Sequence, residues 1–281
     1  MGGSRTVCAD LARCACAPRH RAPGPPVSRT PRRHDADAGG DPELLAAKAA
    51  LRDEVWTALT EARAARFPGA RNRISNFVGA EAAAERLRAT AEWARAATLK
   101  ANPDSAQLPV RQRALEDGKT VYMAVPRLAE RDPFFLLDPD RLADDPRTAS
   151  SIKGASRSAQ RVDVDALAPV DLVVTGCVAV DERGARLGKG GGFSDLEFAV
   201  AAAAGLVDAS TVVVTTVHEL QVVPAGTVPT TSHDLHVDLV VTPERVVRCP
   251  RPRGRKLPRL DWSELTEEKI AAIPLLQRLR P

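Results

Sequence analysis

No stretch of this chain is apolar for long enough to cross a bilayer. The strongest runs, Phe198 to Leu206 and Leu239 to Thr242, fall far short of the roughly 20 residues that a membrane helix needs. The first 40 residues also lack an apolar core of about 7 to 15 residues, because Arg and Pro are scattered through them, so they do not read as a secretory signal. The expected compartment is the cytoplasm, with no membrane partner. A dominant charge is missing too: 40 Lys and Arg against 36 Asp and Glu leave a net charge of only +4, much of it near the termini. Such a balance is weak support for nucleic acid. Aromatic residues amount to 4%, and none interleaves the basic runs Arg19 to Arg33 and Arg248 to Arg259, so base stacking is not provided for there. No internal repeat is visible. Cysteine is sparse, and three of the five, Cys8, Cys14 and Cys16, crowd the N-terminal tail with His20 close behind. Their spacing fits no standard zinc knuckle and no apolar nucleus surrounds them, so disorder is preferred over a zinc site. Cys177 and Cys249 stand in apolar surroundings and read as buried thiols.

The chain does have enough apolar residues, 44% of 281, for one α/β domain of about 200 residues with tails. Residues 1–40 mix Pro, Arg, Gly and Ala without periodicity and read as a disordered basic tail. The folded domain is expected over 41–247, followed by a basic linker and C-terminal helix over 248–281, opened by an Asp261-x-x-Glu264 capping box. Asp41-Pro42 opens an amphipathic helix carrying Leu44, Leu51, Val55 and Leu59 at helical spacing. Arg66 to Phe77 is a loop, and Ala80 to Lys100 is a second helix closed by Asn102-Pro103-Asp104. Val110 to Glu116 is predicted helical, Lys119 to Val125 a strand, and 127–168 a long loop. Val170 to Val180 is a near-continuous apolar strand, Asp195 to Ala204 a helix, and Thr211 to Val217 and Val237 to Val241 further strands. Strands this uniformly apolar belong to a mostly parallel or mixed sheet covered on both faces by helices.

The chemistry concentrates in Arg186-Leu187-Gly188-Lys189-Gly190-Gly191-Gly192-Phe193-Ser194-Asp195. Four glycines within five residues allow positive φ and let successive N–H groups converge, as a phosphate cradle requires. Lys189 and Arg186 add positive charge, and the following helix turns its N-terminus to the same point. Ser194 is the predicted N-cap, with Glu197 as its capping-box partner. No Gly-Lys-Ser/Thr closes the loop and no acidic residue stands at the end of a second strand about 20 residues on, so neither a Walker loop nor a dinucleotide fingerprint is present.

The loop, together with Val170-Asp171-Leu172-Val173-Val174, Asp181-Glu182-Arg183-Gly184, Gln221-Val222-Val223, His233-Asp234, Val237-Asp238 and Val241-Thr242, resembles the 5-formyltetrahydrofolate cyclo-ligase family over roughly residues 44–247. Phe67-Pro68, Arg73-Ile74-Ser75-Asn76-Phe77, Gly79 and Pro126-Arg127-Leu128 bring it nearest to the methenyltetrahydrofolate synthetase domain-containing branch. The resemblance implies a three-layer αβα fold, a monomer, and ATP- and Mg2+-dependent closure of 5-formyltetrahydrofolate, or a related small molecule, to the 5,10-methenyl form. It also implies residue roles. Lys48, Arg52, Arg186, Leu187, Gly188, Lys189, Gly190, Gly191, Gly192, Phe193 and Ser194 would contact ATP, and Lys189 and Arg186 would assist the transfer. Arg52, Lys189, Gly190 to Gly192 and Phe193 would contact the substrate, and Asp195 and Asp234 would hold Mg2+. On the residues alone, Lys48 and Arg52 also fit a solvated helix face, and His233-Asp234 fits a simple turn. Two positions depart from the family. Phe193-Ser194 replaces a Tyr-Tyr pair, and Thr98 to Asp104 carries no Glu-hydrophobic-x-Thr motif, which leaves open a non-catalytic or differently specific member that binds nucleotide or RNA. A small-molecule kinase using the same loop is a third reading.

Overall fold

The computed structural model describes residues 41–231, 234–251, 257, 260, 262 and 265–280. The tail over 1–40, with its cysteines and His20, lies outside them, as do His233, most of the basic run after Arg251, and the Asp261 and Glu264 of the expected capping box.

Helix α1 (Pro42–Glu61) begins as expected, with Pro42 in the first turn and the Asp41 carboxylate accepting from Glu43 N–H. The second expected helix is three elements: α2 (Ala80–Arg88), α3 (Ala91–Arg95) and strand β1 (Thr98–Ala101). Thr90 breaks the run, because its hydroxyl accepts from Trp93 N–H and restarts the helix as an N-cap. There follow α4 (Leu108–Glu116) and β2 (Thr120–Ala124), both as expected. The stretch 127–168 is not one loop. It holds β3 (Phe134–Leu137), α5 (Pro146–Ala149), α6 (Ile152–Ser158) and β4 (Gln160–Val162).

The expected strand Val170 to Val180 is split into β5 (Leu172–Val174) and β6 (Ala179–Asp181), which belong to different sheets. Thr175-Gly176 carries the chain from one to the other. Then come β7 (Arg186–Leu187), α7 (Phe193–Ala203), β8 (Val212–Thr216), β9 (Val222–Val223), β10 (Leu239–Val241) and β11 (Val246–Arg248). The single terminal helix expected over 261–279 is instead α8 (Glu267–Ala272), capped by Thr266, and α9 (Pro274–Leu279), separated at Pro274.

Among the described residues the main sheet has eight strands in the order β11-β10-β8-β5-β1-β2-β3-β4. The central five are parallel, and β11, β3 and β4 are antiparallel additions, so the sheet is mixed. Alternate residues point to opposite faces. Leu99, Val121, Met123, Leu172 and Val214 pack with Leu87, Trp93, Val110 and Leu115 from α2, α3 and α4. Tyr122, Val173, Val213 and Val240 pack on the other face with Phe198 and Val200 of α7 and with Ile270, Leu275 and Leu276 of α8 and α9. This is a three-layer α/β arrangement, and the terminal helices contribute to its core. A smaller sheet, β7-β6-β9, packs Ala179 and Leu187 against Val55, Trp56 and Leu59 of α1. Burying a valine or leucine side chain of this kind contributes roughly 1.5 to 3 kcal/mol. That burial fixes α1 against the strands leading into the glycine loop. Cys177 and Cys249 are buried thiols, pushed up by burial to about 11 and about 12.

Candidate functional site

The glycine loop runs from the end of β7 to the start of α7, and its Lys189 meets Asp104, which follows the carboxyl end of parallel strand β1, the side on which open α/β sheets take ligands. Gly190 has φ +102° and Gly192 φ +64°, conformations that side chains with a Cβ rarely adopt. Gly192 is the N-cap of α7, not Ser194, and no side chain caps that helix. Its first N–H groups therefore face the loop rather than a serine oxygen. Ser194 is instead the second helical residue. Leu187, expected to contact the ligand, instead has its side chain in the small-sheet core and its carbonyl accepting from Val178 N–H at 2.7 Å.

Lys48 and Arg52 sit one turn apart on α1 and are largely buried rather than solvated. Arg52 Nε donates to the Gly188 carbonyl at 2.8 Å, and its guanidinium lies 3.5 to 3.7 Å from where a Cβ on Gly190 would stand. Lys48 Nζ donates to Asp234 Oδ2 at 2.9 Å. That same oxygen accepts from Thr231 N–H at 2.7 Å. Leu235 N–H, the next residue's amide, donates to Asp195 Oδ1 at 3.1 Å. The structure thus brings Lys48, Arg52, the glycines, Asp195 and Asp234 into one neighbourhood from three separate segments.

Arg186 differs from its expected place. Its guanidinium is buried, pairs with Asp195 Oδ1 through Nη2, and leaves Nε without a hydrogen-bond partner. The charge is committed to holding Asp195, not presented at the mouth of the loop. Lys189 stays more open, 43% exposed, with its Nζ 3.9 Å from Asp104 Oδ1.

Among the described residues no three His, Cys, Asp or Glu side chains converge as a ready metal cage. Asp195 and Asp234 each direct one oxygen at a cation. Mg2+ needs only one or two carboxylates beside phosphate oxygens and water, so this pair next to an anion loop fits it.

Several residues around the loop were not singled out by sequence. Asn102-Pro103-Asp104 is a built turn as well as a chain terminator. Buried Arg111, lowered by burial to about 10 and still charged at neutral pH, gathers the carbonyls of Asn102, Pro103 and Asp104, the last two at 3.4 and 3.2 Å. Burial pushes the Asp104 carboxyl above its ordinary value, opposed first by Lys189. Gln107 is fully buried with neither amide atom partnered. Its Oε1 and Asp104 Oδ2 lie 3.0 and 3.3 Å from a Cβ built on Gly176, so an acid and an amide converge where that glycine leaves room. Behind them, Glu197 is not a capping partner at all. It is buried against Lys100 Nζ and accepts from Asn102 Nδ2 at 2.7 Å, tying α7 to the end of β1. Lys269 of α8 reaches the loop as well, 3.4 Å from the Gly191 carbonyl. The rare pairing of a lysine inside an apolar strand with a glutamate inside an apolar helix is the signal that would have found the Lys100–Glu197 contact.

Other matched motif residues build the frame. Asp171 accepts from Ala97 and Thr98 N–H at 2.8 and 3.0 Å, and Asp181 from the amides of Arg183, Ala185 and Gly226. Gln221 donates to the Cys177 and Val178 carbonyls, and His218 Nδ1 accepts from Leu220 N–H. Of the basic run after β10, Arg248 pairs with Glu92 and Arg251 with Asp238. No described helix is long and apolar enough to cross a membrane.

Residues 44–243 match the model of the 5-formyltetrahydrofolate cyclo-ligase family. Among curated proteins, the chain is 37% identical to a Bos taurus methenyltetrahydrofolate synthase domain-containing protein over 85% of its own length. It is 38% and 34% identical to the proteins of that name from Mus musculus and Homo sapiens, over 83% and 82% of this chain. It spans 63%, 63% and 60% of those three relatives. A solved structure, the Aquifex aeolicus 5,10-methenyltetrahydrofolate synthetase, is 21% identical with a TM-score of 0.46, covering 74% of this chain and 96% of that one.

Proposed function

The chain belongs to the 5-formyltetrahydrofolate cyclo-ligase family, and from that premise we propose that it closes 5-formyltetrahydrofolate to 5,10-methenyltetrahydrofolate at the expense of ATP. The observation that carries this reading is the uncapped start of α7 behind a left-handed glycine at Gly192, with Lys48, Arg52 and Lys189 around the loop. Backbone donors, a helix N-terminus and three cations suit a polyphosphate. The γ-phosphoryl group passes to the formyl oxygen, the neighbouring folate nitrogen attacks the activated carbon, and phosphate leaves as the ring closes. No protein nucleophile is required, so positioning and charge neutralisation account for the rate.

On this reading Gly188 to Gly192 bind phosphate oxygens through their N–H groups. Arg52 stiffens the loop through the Gly188 carbonyl, and Lys189, the more exposed of the loop's two basic side chains, follows the moving phosphoryl group. Asp195 and Asp234 would hold Mg2+, which would supply positive charge to offset that of the phosphate groups. Arg186 acts on Asp195 as its positioning partner. Asp104 and Gln107 offer an acceptor and an amide to a nitrogen-rich ring.

The test is the growth of 5,10-methenyltetrahydrofolate absorbance on mixing the protein with 5-formyltetrahydrofolate, ATP and Mg2+. The expected result is growth that needs ATP and falls at least tenfold in Lys189→Ala, in line with loss of one positioned charge on the transferring group. ATP binding without any product would contradict the substrate and leave only a nucleotide-binding role.

A further inference from the structure

We propose that the C-terminal helix pair is a working part of the loop site, with Lys269 as the positioning residue that holds the glycine loop in its binding shape. Lys269 lies beyond residues 44–243, the segment that matches the family, so this brace is additional to the matched domain.

The position of Lys269 is set by its own neighbours. Thr266 Oγ1 accepts from Lys269 N–H at 3.2 Å and fixes the first turn of α8. Ile270, directly after it, is 5% exposed and packs in the same cluster as Leu196 and Phe198 of α7. With the root of the side chain tied to the layer that contains α7, Nζ reaches the Gly191 carbonyl at 3.4 Å and lies 5.5 Å from the centroid of the Phe193 ring. A Cβ built on Gly191 would stand 2.9 Å from Phe193 Cδ2, so ring and glycine are packed directly together. Lysine, ring and carbonyl therefore form one stack at the point where the loop becomes a helix.

Such a stack matters because the loop holds four glycines, which lose more backbone freedom on ordering than any other residue. An unbraced loop spends less time in the shape that binds, and the apparent affinity falls by the same fraction. A cation over the Phe193 face restrains both the ring and, through it, Gly191. The consequence for affinity rests on the phosphate reading above, whereas the bracing itself does not.

Two full-length variants test it, Lys269→Met, which keeps the stem and removes the charge, and Lys269→Arg, which keeps both charge and ring contact. Amide hydrogen exchange without ligand should rise about fivefold or more in the 186–196 peptide of Lys269→Met, return close to the parent rate in Lys269→Arg, and stay unchanged in peptides of β1 and β5. ATP should bind about three- to tenfold more weakly to Lys269→Met. Unchanged loop exchange in Lys269→Met, or faster exchange throughout the protein, would overturn the proposal. If Lys269→Met does not fold, Lys269→Gln is read the same way. If the parent binds ATP and Lys269→Met binds it equally well, the helix pair is not part of the site and the phosphate reading stands. If the parent binds no ATP, that reading fails while the exchange result still decides the brace.

Discussion

Asp104 holds its carboxyl between the loop lysine and a buried amide, in surroundings that disfavour its charge. Burial raises it above its unfolded value, and for a group raised on folding the stabilising contribution is complete at low pH and lost as pH climbs through the folded value. At neutral pH the burial of this acid therefore works against stability. Asp104→Asn should melt at the same temperature as the parent or higher at pH 7, with the gain shrinking in melts at pH 4, while substrate affinity drops. A lower melting temperature at pH 7 with unchanged affinity would show Asp104 to be a structural residue. A site residue that opposes stability is the usual sign of a group kept for binding. The sequence made Lys48 and Arg52 legible through their four-residue spacing and the family pattern, and the glycines through their clustering between a strand and a helix. Asp104 and Gln107 were hidden because Asn-Pro-Asp reads first as chain punctuation, and only tertiary contact with Gly176 reveals what they face.

At the scale of elements, β1 and α7 are joined by a charge pair that neither would tolerate alone. Lys100 and Glu197 are both about as buried as the surrounding valines, and burial raises Glu197, with Lys100 opposing that shift. Removing one partner leaves the other uncompensated, so Lys100→Met and Glu197→Met should each destabilise by about 3 to 5 kcal/mol in urea unfolding. The double variant should recover most of that loss, because two methionines fill the space without a charge to desolvate. Additive losses in the double variant would show that the two side chains do not act as a pair. This contact also bears on why Thr98 to Ala101 is a strand where its local sequence favours a helix. Thr-Leu-Lys-Ala has no β-branched run and continues a helical pattern, yet its backbone pairs with both β2 and β5. Pairing on both edges overrides a weak local preference. The split of Val170 to Val180 was equally invisible, since both halves are apolar and only Gly176, against which Ile74 and Gln107 pack, marks the change of sheet. By contrast α1, α4, β2 and β8 were legible, because caps, periodicity and turn residues agreed with the tertiary outcome.

Across the whole molecule the described chain gathers cations from α1, the loop and α8 around one helix start. The described arginines of the basic run are engaged with acids instead, which gives an RNA-binding reading no support from Arg248 or Arg251. The fold class was legible from apolar strands alternating with helices. The participation of the terminal helices was not, because Ile270, Leu275 and Leu276 announce an amphipathic helix but not which layer it joins. Calorimetric titration of the full chain with ATP, ADP and AMP in Mg2+ tests most directly whether the glycine loop binds phosphate. Affinity should rise with phosphate number, since backbone N–H groups and cations of the loop are built for phosphate oxygens, and Lys189→Ala should lose at least about tenfold in ATP affinity. Equal affinities for the three nucleotides, or no effect of Lys189→Ala, would mean that the glycine loop is not a phosphate site.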